Sequence, residues 1–390
     1  MVEKYLKTNI CSLPWNGIEI SPDGGAKPCC LYREAIPDVK VYNNSLEEIQ
    51  NHSYMKELRQ KFLNGERPDA CTSCWQEEDA GKVSKRMNMF YKMKDTMSDW
   101  TPNSEPKLEY IDFKLGNVCN LKCRICGSWS SSKWAQEEID ISDGDNPVAR
   151  RNLKEGGWPK RQPQFFDDVK HYLNHAKYFE FTGGEPFMIP NHFKVLKYCV
   201  VNNLAKDIDI HYNTNGTQLP DPEIFTLLGH FKRVEVAFSI DDIGAQFEYQ
   251  RHPANWREVS SNLVKWKEQH KGRMEFQICS TINIFNVFSL AKLALWVKQY
   301  NPKYFHINTL FNPDEFNIQG LPRQVKDIVM DRYHMMKDFQ PTLRFMNQQD
   351  LDSDALRKSR RERIHKSDQY RKENFADVFP LLNKVLKVYD

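Results

Sequence analysis

The 390-residue sequence predicts an α/β fold: a mostly parallel sheet, a small cysteine-rich module before it and a helical extension after it. Three observations predict it. From Lys107 onward, apolar-rich segments recur with helical stretches between them, the rhythm of strands joined by crossover helices. Before Lys107 the chain is a series of short elements broken by turn signals and rich in cysteine. After about residue 315 it reads as helical, with a basic stretch at 356–372.

Length allows two or three domains, and the divisions fall at 1–100, 105–312 and 313–390. Charge is nearly balanced, 55 basic against 52 acidic residues, so net charge says little about partners. The N-terminus, MVEKYLKTNI, lacks the apolar core of a signal peptide. No apolar run reaches the length of a membrane span; the nearest, 290–297, is broken by Lys292. A cytoplasmic protein without a membrane partner is expected. There the ten cysteines are poor candidates for disulfides. Eight of them fall in two groups, at 11–74 and 119–126, which favours metal.

In the first hundred residues the turn signals are SPDGGAKPCC, GERPDACTSC and TPNSEP, the last a linker at 101–106. Six strands follow: KLEYIDFKL (107–115), KYFEFTG (177–183), DIDIHYN (207–213), RVEVAFSI (233–240), MEFQICSTIN (274–283) and KYFHIN (303–308). Leu290, Leu293, Ala294 and Val297 form the apolar stripe of a helix packed on that sheet. Six such units make a partial barrel or an open doubly wound sheet. One strand face carries Asp112 and Lys114, Glu180 and Thr182, His211 and Asn213, Glu235 and Ser239, Gln277 and Thr281, His306 and Asn308. A closed eight-stranded barrel fills its interior with branched apolar side chains. Polar residues along six strands instead suggest a wet concavity that holds a ligand, or strands that face solvent. Cys199, on an apolar helix pattern, and Cys279, on a strand, read as core residues.

VCNLKCRICG follows the first strand, at the sheet edge where parallel folds bind ligands. Three thiols with no fourth nearby are an accident or a cluster with one iron left open. The spacing Cys119-x3-Cys123-x2-Cys126 resembles the cluster loop of the radical S-adenosylmethionine superfamily. The resemblance implies a partial (β/α)6 barrel and a [4Fe–4S] cluster on these three thiolates. Its open iron would take the amino and carboxylate groups of S-adenosylmethionine. FTGGEPF, with Gly183, Gly184, Glu185 and Pro186, resembles the family motif that binds the methionine amino group. NTNGT and SIDD end later strands as in the family; Asn213, Asn215 and Ser239 would bond the ribose hydroxyls and methionine carboxylate. Arg251, in YQRHP, is a further carboxylate partner or a surface arginine.

Cys11-x12-Gly24-x4-Cys29, followed by Cys71-x2-Cys74, resembles the SPASM/twitch subgroup, with Trp15, Gly17 and Trp75 adding to the likeness. Four cysteines correspond to a twitch domain and one auxiliary [4Fe–4S] cluster. A four-thiolate zinc site fits the same spacing, and Cys30 is an alternative to Cys29. The module here precedes the radical domain, whereas in most relatives it follows. The resemblance implies reductive cleavage of S-adenosylmethionine to a 5′-deoxyadenosyl radical and hydrogen abstraction. An oxidation or cross-link would follow, with the auxiliary cluster as electron acceptor. A peptide or protein substrate leads; a small polar molecule such as a sugar or aminocyclitol, or a nucleic acid, is the alternative. Lys114, Asp241, Asp242 and His306 are candidates for the group that takes the proton. Flavodoxin or ferredoxin would donate electrons. The 357–372 stretch, eight basic residues against two acids, reads as a solvated helix face, so nucleic acid is not expected as a partner.

Overall fold

The computed structural model describes residues 8–93, 100–162, 164–269 and 274–389. The first seven residues of the polar N-terminus, and 94–99 at the end of the expected first module, lie outside them. Among the described residues eight strands form one sheet in the order β2-β1-β3-β4-β5-β6-β7-β8. The six expected strands are all present: β3 (Tyr110–Phe113), β4 (Tyr178–Phe181), β5 (Asp209–Thr214), β6 (Arg233–Ser239), β7 (Met274–Ile282) and β8 (Phe305–Thr309). Each pairs in parallel with the next. Crossover helices such as Asn191–Val201, Trp256–Gln269 and Leu290–Tyr300 connect them. The result is a partial barrel.

Alternation along the strands builds the core. Ile111, Phe113, Phe179, Phe181, Ile210, Tyr212, Val234, Val236 and Phe238 face the helices and are at most 1% exposed. Leu290, Leu293 and Val297 bury the expected helical stripe against the sheet side. Beyond β8, helices Arg323–Tyr333, Gln340–Gln348 and Asp354–Arg371 close a second core around Phe285, Phe316 and Phe345. No helix among the described residues is long and apolar enough to cross a membrane.

The N-terminal segment joins the sheet, a feature absent from the sequence reading. β1 (Gly17–Ile20) pairs in parallel with β3, and β2 (Ala26–Lys27) adds an antiparallel edge. Close approach demands Gly17, where an added Cβ would lie 2.8 Å from Leu13 Cδ2 and 3.1 Å from the Tyr110 ring. Asn16 Nδ2 donates to Glu109 Oε2 at 3.0 Å across the same seam.

Register aligns Glu19, Asp112, Glu180, His211, Glu235 and Glu275 in one row across six strands. Buried carboxylates need cations. Lys114 pairs with Glu19 at 2.8 Å. Helix Lys85–Lys92, buried on its Met89 and Phe90 side, supplies Lys85 to Glu180 at 2.6 Å and Lys92 to Glu235 at 3.8 Å. Part of the row is therefore an ion-paired layer that seats the N-terminal segment on the barrel.

Candidate active site

The three-cysteine loop leaves the C-terminal end of β3. Cys119, Cys123 and Cys126 are half-buried. The Trp134 indole donates to Cys123 O at 2.6 Å, and Cys126 N donates to Cys123 O at 2.9 Å, which fixes the turn between them. Burial pushes all three thiols up, that of Cys126 to about 12. Asn215 Nδ2 stands 3.8 Å from Cys119 Sγ and Arg251 Nη1 stands 3.9 Å from Cys123 Sγ.

The GGEP turn braces this loop. Gly183 has φ +97°, and a Cβ on Gly184 would lie 2.2 Å from Val118 O, so only glycine permits the contact. Glu185 N donates to Val118 O at 2.8 Å. Pro186 opens a short turn, Pro186–Met188. The Glu185 carboxylate is fully buried. Oε1 accepts from Thr214 Oγ1 and Oε2 from the Asn215 amide, both at 2.8 Å. Burial raises its pKa to about 7 against these donors. The carboxylate thus ties the β4 loop to the β5 loop. Thr214 is a partner the sequence reading missed.

The remaining expected residues divide. Asn213 and Ser239 are half-buried near the ends of β5 and β6. Arg251 is 8% exposed and pairs with Asp241 at 2.7 Å, so it is no surface arginine. Asp241 also accepts from Thr281 N at 2.8 Å. Asp242 accepts from Ser289 Oγ at 2.6 Å and from Ile243 N at 2.9 Å, within its own turn. His306 lies on β8, exposed, in register with Cys279. Cys279 is half-buried and accepts from Asn308 Nδ2 at 3.1 Å. That corrects its reading as a core residue: it shares the polar face with Gln277 and Thr281. Cys199 is fully buried in helix Asn191–Val201, as expected.

Cys11, Cys29, Cys71 and Cys74 line one cavity with Trp75, Lys85 and Arg86. Cys30 points elsewhere, toward Asp112 and Glu180. Burial, followed by the neighbouring thiol, raises Cys11 and Cys29 to about 12, whereas Arg86 lowers Cys11 and Lys85 lowers Cys29. Three buried thiols and the half-buried Cys71, beside two cations, form a donor set suited to a cationic centre that takes thiolates. Sulfurs around one zinc ion stand only about 3.8 Å apart, given Zn–S bonds of about 2.3 Å. Among the described residues, the group of three or more such donors within 4.8 Å of one another is Cys30, Asp112 and Glu180, not the thiols. The cavity therefore fits a larger polynuclear cluster better than one zinc ion. The Cys30 group itself already holds two ammonium ions, Lys85 on Glu180 and Lys114 4.0 Å from Asp112.

Within that layer two carboxyls separate. Burial would raise Glu180, but Lys85 and His211 overcome it and hold it at about 2. Burial raises Asp112 to about 7, with Glu180 and Glu19 adding to it against Lys114 and Lys85. Neither lysine of helix Lys85–Lys92 was foreseen; their seven-residue spacing on an amphipathic helix was the available signal.

Family models match the radical SAM superfamily over residues 113–285 and an iron–sulfur cluster-binding domain over residues 11–75. No curated protein matches the sequence. Among solved structures, anSMEcpe with bound AdoMet and the Cp18Cys peptide aligns at 16% identity and TM-score 0.38, covering 60% of this chain and 61% of that one. SuiB of Streptococcus suis, bound to its precursor peptide SuiA, aligns at 13% identity and TM-score 0.38, covering 77% and 65%. The chain thus spans less than two thirds of either protein. With both domain models in place, the chain joins a domain of the radical S-adenosylmethionine superfamily to an iron–sulfur cluster-binding domain, and its cofactors are S-adenosylmethionine and two [4Fe–4S] clusters.

Proposed function

We propose that the protein is a radical oxidoreductase that dehydrogenates or cross-links a peptide or protein, with an auxiliary cluster as electron acceptor. The observation that carries this reading is Lys85. It lines the four-cysteine cavity, and its ammonium group sits on Glu180 of the barrel floor. The auxiliary thiols and the concavity therefore share a wall.

In this reading Cys119, Cys123 and Cys126 hold one cluster and Cys11, Cys29, Cys71 and Cys74 the other. When bound and reduced, the first cluster would supply the electron for reductive cleavage of S-adenosylmethionine. The protein binds and orients. Gly183 and Gly184 would let the methionine ammonium approach the backbone closely, and the Glu185 carboxylate would supply negative charge to it. Asp241 holds Arg251 beside Cys123, where its charge suits the methionine carboxylate. Asn213, Asn215 and Ser239 would bond the ribose hydroxyls and methionine carboxylate.

Completing an oxidation requires a proton acceptor. Burial would depress Lys114, but Glu19 and Asp112 hold it above its ordinary range, so it stays charged and has no lone pair to offer. Asp241 and Asp242 are engaged in internal bonds, and His306 lies on β8, the far edge strand of the sheet. We assign the role to Asp112, which is itself fully buried and would take the proton through the half-buried Thr182 hydroxyl. Its Oδ1 accepts from Thr182 Oγ1 at 3.0 Å, whereas its buried Oδ2 accepts no hydrogen bond.

Members of the SPASM/twitch subgroup that the sequence resembles commonly act on peptides and proteins, which favours that substrate class. The half-buried Thr182, Asn213 and Gln277 of the concavity favour a small polar molecule as the second reading. A flavodoxin or ferredoxin donor and a cytoplasmic location belong to the same reading. The test replaces Cys71 and Cys74 by Ala. The variant should lose one paramagnetic cluster signal and still form 5′-deoxyadenosine, but yield little oxidised product. Full product from a variant with native circular dichroism would make the auxiliary module a scaffold and defeat the oxidation reading.

A further inference from the structure

The basic stretch at 356–372 does not form a solvated face throughout. It lies on helix Asp354–Arg371, with Arg360 2% and Arg371 8% exposed. Arg360 donates to Glu315 O and Gly320 O, both at 2.7 Å, which docks the helix on the 314–320 segment. Toward its C-terminal end the helix meets the cysteine loop.

Arg124 sits between Cys123 and Cys126 and is 1% exposed. Its guanidinium stacks 3.8 Å from the Tyr249 ring and pairs with Asp368 and Glu373, each at 2.5 Å. Asp368 is itself 1% exposed and fully engaged. Oδ1 also accepts from Tyr249 at 2.7 Å, and Oδ2 accepts from Phe375 N at 2.8 Å and Tyr389 at 2.9 Å. A second tie runs through Glu137, fully buried, which pairs with Lys122 at 2.6 Å and Arg371 at 3.0 Å. Arg363 donates to Cys126 O at 3.4 Å. Main-chain bonds from Lys122 N to His252 O and Arg124 N to Gln250 O pin the loop from the other side.

We infer that Asp368 is a positioning residue for the three-cysteine loop: through Arg124 the C-terminal helix fixes the spacing and orientation of Cys119, Cys123 and Cys126. Buried ion pairs add little net stability but are costly to leave half-made. Their value here is geometric. A loop of eight residues carrying three half-buried thiols has little apolar surface of its own to fix its conformation. The importance of the loop rests on the functional reading above; the clamp itself does not.

The test is hydrogen–deuterium exchange in the full-length, cluster-free protein, comparing wild type with Asp368→Asn. Amides 119–127 should exchange roughly tenfold or more faster in the variant, with β5–β7 unchanged. In reconstituted protein the same variant should alter or lose the cluster signal that responds to S-adenosylmethionine and keep the auxiliary signal. Glu373→Gln, at the more exposed end of the pair, should move both readouts the same way and serves if Asp368→Asn does not fold. Arg361→Ala, on the exposed side of the helix, should move neither. Unchanged loop exchange in Asp368→Asn or Glu373→Gln, or equal loosening in Arg361→Ala, would overturn the clamp. If iron is unaffected by Cys119→Ala, Cys123→Ala and Cys126→Ala together, the functional reading falls while the exchange result still decides the clamp.

Discussion

Lys85 Nζ lies 2.6 Å from Glu180 Oε2, and this contact joins the N-terminal segment to the barrel floor. Tyr110 also donates to Glu180, at 2.5 Å, and stacks on Tyr178 with ring centroids 5.7 Å apart. Both tyrosines pack into the same small core as Cys11, Cys29 and Trp75. The cysteine module and the barrel are therefore one mechanical unit.

Replacing Lys85 by Met should leave Glu180 ionised, buried and short of its cation. Side chains only 14% and 12% exposed place the pair near the buried limit, so a loss of about 3 kcal/mol is expected. Glu180→Gln in the same background should recover part of it. Chemical denaturation of the two variants and their combination measures the coupling; additive losses would mean that Lys85 serves only the cysteine cavity.

Reconstituted protein should carry about eight irons and eight sulfides, as two [4Fe–4S] clusters require. Alanine at Cys119, Cys123 and Cys126 should halve the iron and abolish 5′-deoxyadenosine formation under dithionite. Cys30→Ala should leave the iron unchanged, because Cys30 lies with Asp112 and Glu180 rather than in the four-cysteine cavity. Loss of four irons in that variant would move the ligand from Cys29 to Cys30.

Glu185 should give affinity for S-adenosylmethionine a pH dependence. Its pKa rises on folding from 4.5 to about 7, so the empty native state gains a proton relative to the unfolded chain. The stabilising effect of that protonation is complete below 4.5 and lost as pH rises through 7. An ammonium ligand prefers the ionised carboxylate. Affinity should therefore fall by up to about tenfold per unit as pH drops below 7. Calorimetry across pH 5.5–8.5 should show this in the wild type and a flatter profile in Glu185→Gln. A flat wild-type profile would leave Glu185 as a brace alone.

Much of this was legible in sequence because period-two alternation and loop motifs are local signals. All six barrel strands, the polar face and the two cysteine sets follow from them. β1 was not, since four residues between turn signals carry too little pattern, and its pairing with β3 is set by the seam at Asn16 and Glu109. Lys85 and Arg124 were missed for a different reason. Each is a lone cation whose meaning comes from a carboxylate 95 or 244 residues away. Cys279 was misread although its parity with Gln277 and Thr281 already placed it on the polar face.

Asp112 supplies the sharpest test of the oxidation chemistry. A substrate radical that becomes an oxidised product must release one proton and one electron. Asp112 can take the proton only when ionised, and its pKa stands at about 7 because burial, Glu180 and Glu19 outweigh Lys114 and Lys85. Oxidised product per 5′-deoxyadenosine should therefore rise with pH through about 7 and level off above it. Asp112→Asn preserves the shape and the bond from Thr182 but cannot accept the proton. It should retain 5′-deoxyadenosine formation and lose roughly 10²–10⁴-fold in product, the usual worth of a positioned base. Glu19→Gln, two strands' width from Glu180, removes one of the raising charges and should shift the profile to lower pH. The measurement is the ratio of product to 5′-deoxyadenosine by mass spectrometry across pH 5.5–8.5. A ratio independent of pH in the wild type, or full product from Asp112→Asn, would remove Asp112 from the reaction and leave it as a member of the ion-paired floor.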